Sequence, residues 1–112
     1  MPNRLADLDR VFQALADPTR RAVIARLARG PATVSQLAEP FDMAMPSFLQ
    51  HLRVLENGGL VRTKKVGRVR TVRLAAPPLR RAEGWLTTQR GHWEARLNQL
   101  DDYRIHLKGR AK

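Results

Sequence analysis

Helix start and stop signals cut this chain into short pieces, and that limits the folds open to it. Asp17-Pro18 reads as an N-cap followed by proline at the first helical position. Gly30-Pro31 stops the helix so begun. Thr33-Val34-Ser35-Gln36 fits the capping box that opens a short third helix, and Pro40 limits it. Gly58-Gly59 ends a fourth helix, and Pro77-Pro78 separates everything before it from a last uninterrupted stretch. Apolar spacing fills the pieces. Leu8, Val11, Phe12 and Leu15 fall at i, i+3, i+4 and i+7 of a first helix, with Leu5 one turn earlier. A second helix is predicted from Pro18 to about Arg29, with Val23, Ile24, Leu27 and Ala28 facing inward. Leu37 and Ala38 are the apolar contacts of the third. A turn through Phe41-Asp42-Met43-Ala44 leads to the fourth, about Met45 to Asn57. The last helix is predicted over about Leu79–Leu107, with Gly109 to Lys112 as a frayed end.

Between the fourth and last helices the pattern changes. Residues 62–73 hold Arg62, Lys64, Lys65, Arg68, Arg70 and Arg73 with no acid, interleaved with Val66, Val69, Thr71 and Val72 and broken by Gly67. β-branched residues alternating with cations around a glycine describe a basic hairpin, Leu60–Lys65 and Val69–Ala75 about a Val66-Gly67-Arg68 turn. The whole chain carries net +11 on 112 residues, and this segment holds +6 of it. Residues 1–61, with seven basic and six acidic side chains, carry +1, and residues 74–112 carry +4. Such a balance points to a polyanionic partner, most often nucleic acid. Two short helices joined by a tight turn and followed by a basic hairpin make a winged helix-turn-helix. The expected fold is thus mainly α with a small β-hairpin, in one domain: an N-terminal helix (1–17), a helix-turn-helix (33–58), a wing (60–75) and a long C-terminal helix (79–107).

Read by angle, Phe48, Leu52 and Leu55 share the buried side of the fourth helix, while Pro46, Ser47, Gln50, Arg53 and Asn57 point away. Ser47, Gln50 and Arg53 are the candidates for reading base edges, since glutamine pairs with adenine and arginine with guanine. Lys64, Lys65, Arg68 and Arg70 are the candidates for gripping phosphates, with Arg68 and Arg70 nearest the wing tip. His51, beside Leu52, reads as a hydrogen-bonded structural group, and Leu49 as half-buried. On the last helix Leu86, Trp93, Leu100 and Leu107 repeat every seven residues, with Ala82, Leu97 and Tyr103 beside them and Trp85 widening the stripe. That stripe needs a partner, either the chain's own N-terminal helix or the same helix of a second subunit, and a two-fold dimer combines both through Leu8, Phe12, Leu86, Trp93, Leu97, Leu100 and Tyr103.

Other classes of function find little support. The absence of cysteine excludes disulfides, thiol redox sensing and a cysteine nucleophile. No apolar run approaches the roughly 20 residues that span a bilayer, and Met1 to Leu5 has no signal-like apolar region, so a cytoplasmic protein is expected. His51, His92 and His106 have no nucleophile or carboxylate at a catalytic spacing, and the seven glycines form no phosphate loop, so no enzyme and no cofactor is expected.

Several stretches together resemble the ArsR/SmtB family of winged-helix transcriptional repressors. They are Phe12-Gln13-Ala14-Leu15-Ala16-Asp17-Pro18-Thr19-Arg20-Arg21, then Gln50-His51-Leu52-Arg53-Val54-Leu55-Glu56, then Gly59-Leu60-Val61, and in the wing Gly67-Arg68 through Arg73-Leu74. Trp93-Glu94-x-Arg96-Leu97-x-x-Leu100 looks like the non-metal, SdpR-like branch. The resemblance implies a homodimer built from the first and last helices that binds an inverted-repeat operator in double-stranded DNA and represses transcription, including that of its own gene. The alternative is a winged-helix module that docks on an acidic protein or structured RNA. Metal-sensing members place cysteine pairs near the third helix, where this chain has Ser35-Gln36-Leu37-Ala38-Glu39, or Asp and His pairs on the last helix, where His92 and His106 stand fourteen residues apart. No metal site on one subunit is therefore expected, and a weak intersubunit site using His92, Glu94, Asp102 or His106 stays open. The sequence leaves open a small organic effector, a protein antagonist or none. Many relatives carry serine where this chain has Ala44 and Leu49, and tyrosine where it has Val72. Loss of a capping serine at Ala44 is expected to cost about 1 kcal/mol.

Overall fold

A computed structural model describes residues 4–110, with side chains described over 6–107. The elements run α1 (Arg4–Leu15), α2 (Pro18–Leu27), β1 (Ala32–Thr33), α3 (Val34–Ala38), α4 (Met45–Asn57), β2 (Val61–Val66), β3 (Val69–Leu74) and α5 (Ala76–Arg110). The predicted order of elements and the winged helix-turn-helix architecture are those found. The backbone groups into two compact units, one ending at Ala82 and one beginning at Glu83.

The first unit is organised by the junction between α1 and α2. Asp17 is the N-cap of α2, in extended conformation, and its Oδ2 accepts the backbone N–H of Arg20 at 3.0 Å. Pro18 follows at the first helical position, where no N–H is needed. The next two cations reach backwards. Arg20 donates from Nε to the Ala14 carbonyl at 2.7 Å and from Nη2 to the Gln13 carbonyl at 3.0 Å. Arg21 donates from Nη1 to the Leu15 carbonyl at 2.8 Å. These are the carbonyls that the end of α1 leaves without intrahelical partners, and cations belong beside them.

The core of this unit includes Val11 and Ala14 of α1, Val23 and Leu27 of α2, Leu37 of α3, Phe48, Leu52 and Leu55 of α4, and Leu60, Val61 and Val72 around the sheet. Leu8, Phe12 and Leu15 are half-buried against it. The second helix stops at Leu27, two residues short of the sequence expectation, and Ala28 is exposed rather than inward. Ala28 is the C-cap; its backbone is still helical (φ −63°, ψ −21°) and its N–H bonds the Ile24 carbonyl at 3.0 Å, so its exposure comes from its place at the end of the helix. Leu5, expected to extend the face of α1, lies outside the described side chains.

The capping box forms as predicted. Thr33 Oγ1 accepts the Gln36 N–H at 3.1 Å, and Gln36 Oε1 accepts the Thr33 N–H at 2.9 Å. The end of α4 is a Schellman motif: the Gly59 N–H bonds the Glu56 carbonyl at 2.9 Å and the Leu60 N–H bonds the Leu55 carbonyl at 3.0 Å. Gly59 has φ +74°, and a Cβ there would stand 3.4 Å from Pro78 Cγ. The motif turns the chain so that Leu55 and Leu60 are both buried and β2 starts against the core.

The sheet differs from the expected hairpin in its number of strands and in their bounds. It has three antiparallel strands in the order β1-β3-β2, with Ala32 opposite Val72 and Thr33 opposite Thr71. A two-residue strand carries no periodicity, so it left no trace in the sequence pattern. Val66 belongs to β2 rather than to the turn, and the hairpin closes over Gly67-Arg68 alone. Gly67 has φ +62° and Arg68 has negative φ, the sign pattern of a type II′ turn. Leu60 and Ala75 lie just outside the strands, joined by an N–H to carbonyl bond of 2.8 Å.

Helix α5 begins at Ala76 and takes in Pro77 and Pro78, which the sequence reading had placed before the helix. Prolines are tolerated there because the first turn needs no backbone donors. The helix reaches Arg110, so of the expected frayed end only Ala111 and Lys112 lie outside the described residues. Among the described residues no helix is long and apolar enough to cross a membrane.

Asp17 titrates below the usual carboxylate range, first because its carboxylate accepts the Arg20 backbone N–H, and further because His51 and Arg20 favour its charge against a partial desolvation. The stability it contributes is therefore present at neutral pH and lost as pH falls through its depressed folded-state pKa. Asp17→Ala is expected to cost about 1 kcal/mol in denaturant unfolding at pH 7. The gap to the parent protein should close in acid, once the native carboxyl is protonated.

Candidate functional site

The outward face of α4 is what the helix-turn-helix presents. Phe48, Leu52 and Leu55 are buried, and Ser47, Gln50 and Arg53 form an exposed stripe at intervals of three on the opposite side. Leu49 is half-buried, as expected. Ala44 is the N-cap and makes no side-chain cap bond; Pro46 has no N–H, and the Ser47 and Phe48 N–H groups bond the Ala44 carbonyl at 3.0 and 3.1 Å.

Two contacts fix the position of this helix. At its inner flank, His51 Nδ1 lies 3.2 Å from Arg20 Nη1 and 3.6 Å from Asp17 Oδ2. A guanidinium has only donors, so the imidazole accepts at Nδ1, which assigns the neutral ring its proton on Nε2. His51 is thus the structural group the sequence suggested. At its C-terminal end, Glu56 Oε1 stands 3.7 Å from Arg70 Nη2 of the wing. That is an ion pair and too long for a hydrogen bond, and this buried oxygen has no hydrogen-bond partner. Arg53 and Arg70 line the same small cleft beside Glu56.

The strand register divides the wing cations. Arg62 faces Arg73, Lys64 faces Thr71, and Val66 faces Val69; Thr63 faces Val72 and Lys65 faces Arg70 in the alternate pairs. Successive side chains point to opposite faces of the sheet. Lys65 and Arg70 therefore share the face that buries Val72 and carries the contact with α4. Lys64 lies on the other face with Arg62 and Arg73. Arg68 is in the turn. The sequence grouped Lys64, Lys65, Arg68 and Arg70 into one grip; the fold brings Lys65 and Arg70 beside α4 and turns Lys64 away. Arg62 and Arg73 were counted in the basic run but not singled out. Their signal, two cations meeting across a ladder, exists only once the register is known.

Two of the cross-strand pairs, Arg62–Arg73 and Lys65–Arg70, join like charges, which destabilise a sheet. On the α4 side Glu56 offsets Arg70. The exposed side chains on the other face include no acid.

In α5, Leu86, Trp93, Leu97, Leu100, Tyr103 and Leu107 are all exposed, Trp93 by 67% and Tyr103 by 61%. Contiguous exposed apolar side chains of this kind are the feature that marks interaction surfaces in proteins. Leu8 and Phe12, the other expected interface residues, are half-buried in the first unit.

Comparison with known proteins points the same way. The sequence profile of a helix-turn-helix domain matches residues 15–64. The HTH-type transcriptional regulator Rv2034 of Mycobacterium tuberculosis is 46% identical over 66 residues, which is 59% of this chain and 62% of that protein. The transcriptional repressor SdpR of Bacillus subtilis is 29% identical over 79 residues, 70% of this chain and 88% of SdpR. A crystal structure of an ArsR family transcriptional regulator is 55% identical, with a TM-score of 0.78 over 84% of this chain and 97% of that one. The chain thus spans less than two thirds of Rv2034 but nearly all of the solved regulator. None of the three is an enzyme by its description.

Two substitutions test the local energetics. Ala44→Ser supplies the absent cap and is expected to raise stability by about 1 kcal/mol in chemical denaturation. Arg73→Thr relieves a like-charge pair and should raise the unfolding midpoint slightly, by about 0.2–1 kcal/mol and more at low salt.

Proposed function

Since the chain belongs to the ArsR/SmtB family of winged helix-turn-helix transcriptional regulators, we propose that it is a homodimeric repressor of the SdpR-like branch. It binds an inverted-repeat operator in double-stranded DNA. The observation that carries this reading is the exposed Ser47-Gln50-Arg53 stripe on a helix contacted at its middle through His51 and near its C-terminal end through Glu56, with a cationic wing beside it. Ser47, Gln50 and Arg53 meet base edges in the major groove. Lys65, Arg68 and Arg70 hold the backbone from the α4 side and tip of the wing, and Lys64 from its other face.

The exposed stripe of α5 supports dimerisation. Leu86, Trp93, Leu97, Leu100 and Tyr103 of one copy pack on those of a second, with Leu8 and Phe12 contributing from α1. A two-fold dimer sets the two recognition helices about 34–36 Å apart, so half-sites should be centred about 10 bp apart. With about six phosphates neutralised per protomer, log affinity should fall with log salt with a slope near −5 per protomer. Control of its own gene is part of the proposal.

Selection and sequencing of DNA bound by the purified protein tests symmetry, spacing and base dependence together. The expected result is a two-fold motif. Gln50→Ala and Arg53→Ala should each relax preference at particular base pairs by about 1–3 kcal/mol. Arg68→Ala should weaken all sequences alike and flatten the salt slope by about one. Uniform loss from Gln50→Ala and Arg53→Ala would remove base readout and leave an acidic protein or structured RNA as the partner. Trp93→Asp should yield a monomer in sedimentation; a dimer that survives it would displace the proposed interface.

A further inference from the structure

We propose that the cleft between α2 and α3 is a ligand site for a small organic anion, a carboxylate carried on an apolar body, and that its occupancy is transmitted to α4. The cleft encloses about 510 Å³, within the roughly 300–1,000 Å³ of small-molecule sites. Val23, Leu37 and Phe41 are prominent in its apolar wall. Its charged and amide groups are Arg26, Arg29 and Gln36, and no acid lines it.

The polar chemistry left over in the cleft is all donor. Gln36 Oε1 is occupied by the Thr33 N–H at 2.9 Å, which leaves the amide NH2 as the free end. Arg26 Nη1 donates to the Gly30 carbonyl at 3.1 Å, which fixes that guanidinium at the rim. The Arg29 side chain has no ion-pair or hydrogen-bond partner among the described residues, its backbone N–H alone bonding the Arg26 carbonyl at 3.1 Å. Two guanidinium groups and an amide NH2 above an apolar wall match a carboxylate, which accepts at both oxygens and pairs bidentately with arginine. A neutral ligand of the same shape leaves that match unused.

Phe41 gives the cleft its connection. It lines the cleft and stacks on Phe48, with ring centroids 5.8 Å apart and planes at 27°. Phe48 is fully buried in the first turn of α4, next to Ser47. A ligand that displaces the Phe41 ring repacks Phe48, and close-packed interiors transmit such shifts. The coupling to DNA rests on the operator reading above; the site itself does not. By linkage, an anion that weakens operator binding is itself weakened by operator to the same factor.

The test uses 1-naphthoate and neutral 1-naphthamide as probes, titrated into the 15N-labelled full chain without DNA. Naphthoate is expected to shift amides within residues 22–41 and also those of Ser47 and Phe48, and naphthamide to shift neither set. Arg29→Gln, an exposed position, should weaken naphthoate by about tenfold or more while leaving the fold unchanged by circular dichroism. Phe41→Leu should retain binding and lose the shifts in α4. Equal binding of both probes, absence of shifts in 22–41, or indifference to Arg29→Gln overturns the site. Shifts confined to the cleft in the parent protein overturn the transmission. Naphthoate should also change affinity for the selected operator; unchanged affinity despite saturation overturns regulation. Failure to recover any operator would count against the DNA reading, while the probe titration still decides the cleft.

Discussion

Arg20 is the side chain on which the arrangement of the helices turns. Its planar guanidinium closes the end of α1 at Ala14 and Gln13 and reaches His51 on α4, while its own backbone N–H is held by the Asp17 cap of α2. Three helices are thereby registered by one residue through donors of fixed geometry. Lysine, a point charge on a flexible stem, has no fork to do the same. The Asp17-Pro18-Thr19-Arg20-Arg21 stretch is thus a hinge of mutual caps: the aspartate satisfies the start of α2 and the two arginines the end of α1. The outward face of α4 is supported by it at the middle of the helix, through His51, and by the Glu56–Arg70 pair near the C-terminal end.

The wing is built against its own stability. Arg62 meets Arg73 and Lys65 meets Arg70 across the ladder, and Ala44 leaves the start of α4 uncapped. Each is a local conflict that a chain selected for stability alone would remove, and such conflicts gather at functional surfaces. In the proposed complex with DNA the like-charge terms reverse their sign, because phosphates neutralise the cations. The buried core beneath, with Phe48, Leu55, Leu60 and Val72, carries the stability that these features give up.

Much of the site was legible before the fold was known, because its signals are local. The Thr33–Gln36 capping box, the glycine pair after Asn57 and the angle separating Phe48, Leu52 and Leu55 from Ser47, Gln50 and Arg53 depend on neighbours within one turn. So does the reading of His51 as structural, although its partners do not: Arg20 is 31 residues away. What escaped was short or paired. Strand β1 is two residues long, and Pro77-Pro78 suit a helix start as well as a break. The placement of Lys64 apart from Lys65 follows from alternation, but which of the two joins Arg70 beside α4 needed the register.

The sequence by itself determined the five helices and the hairpin, their order, the face of α4 that is free and the concentration of charge in the wing. Those properties follow from caps, periodicity and composition, each read within a few residues. Only the tertiary structure decided how the charge is divided between the faces of the wing, which carboxylate answers Arg70, and that the Phe41 ring joins a donor-lined cleft to Phe48. These are pairings across many residues of chain. Loop closure and core packing set them, and no local pattern encodes the result.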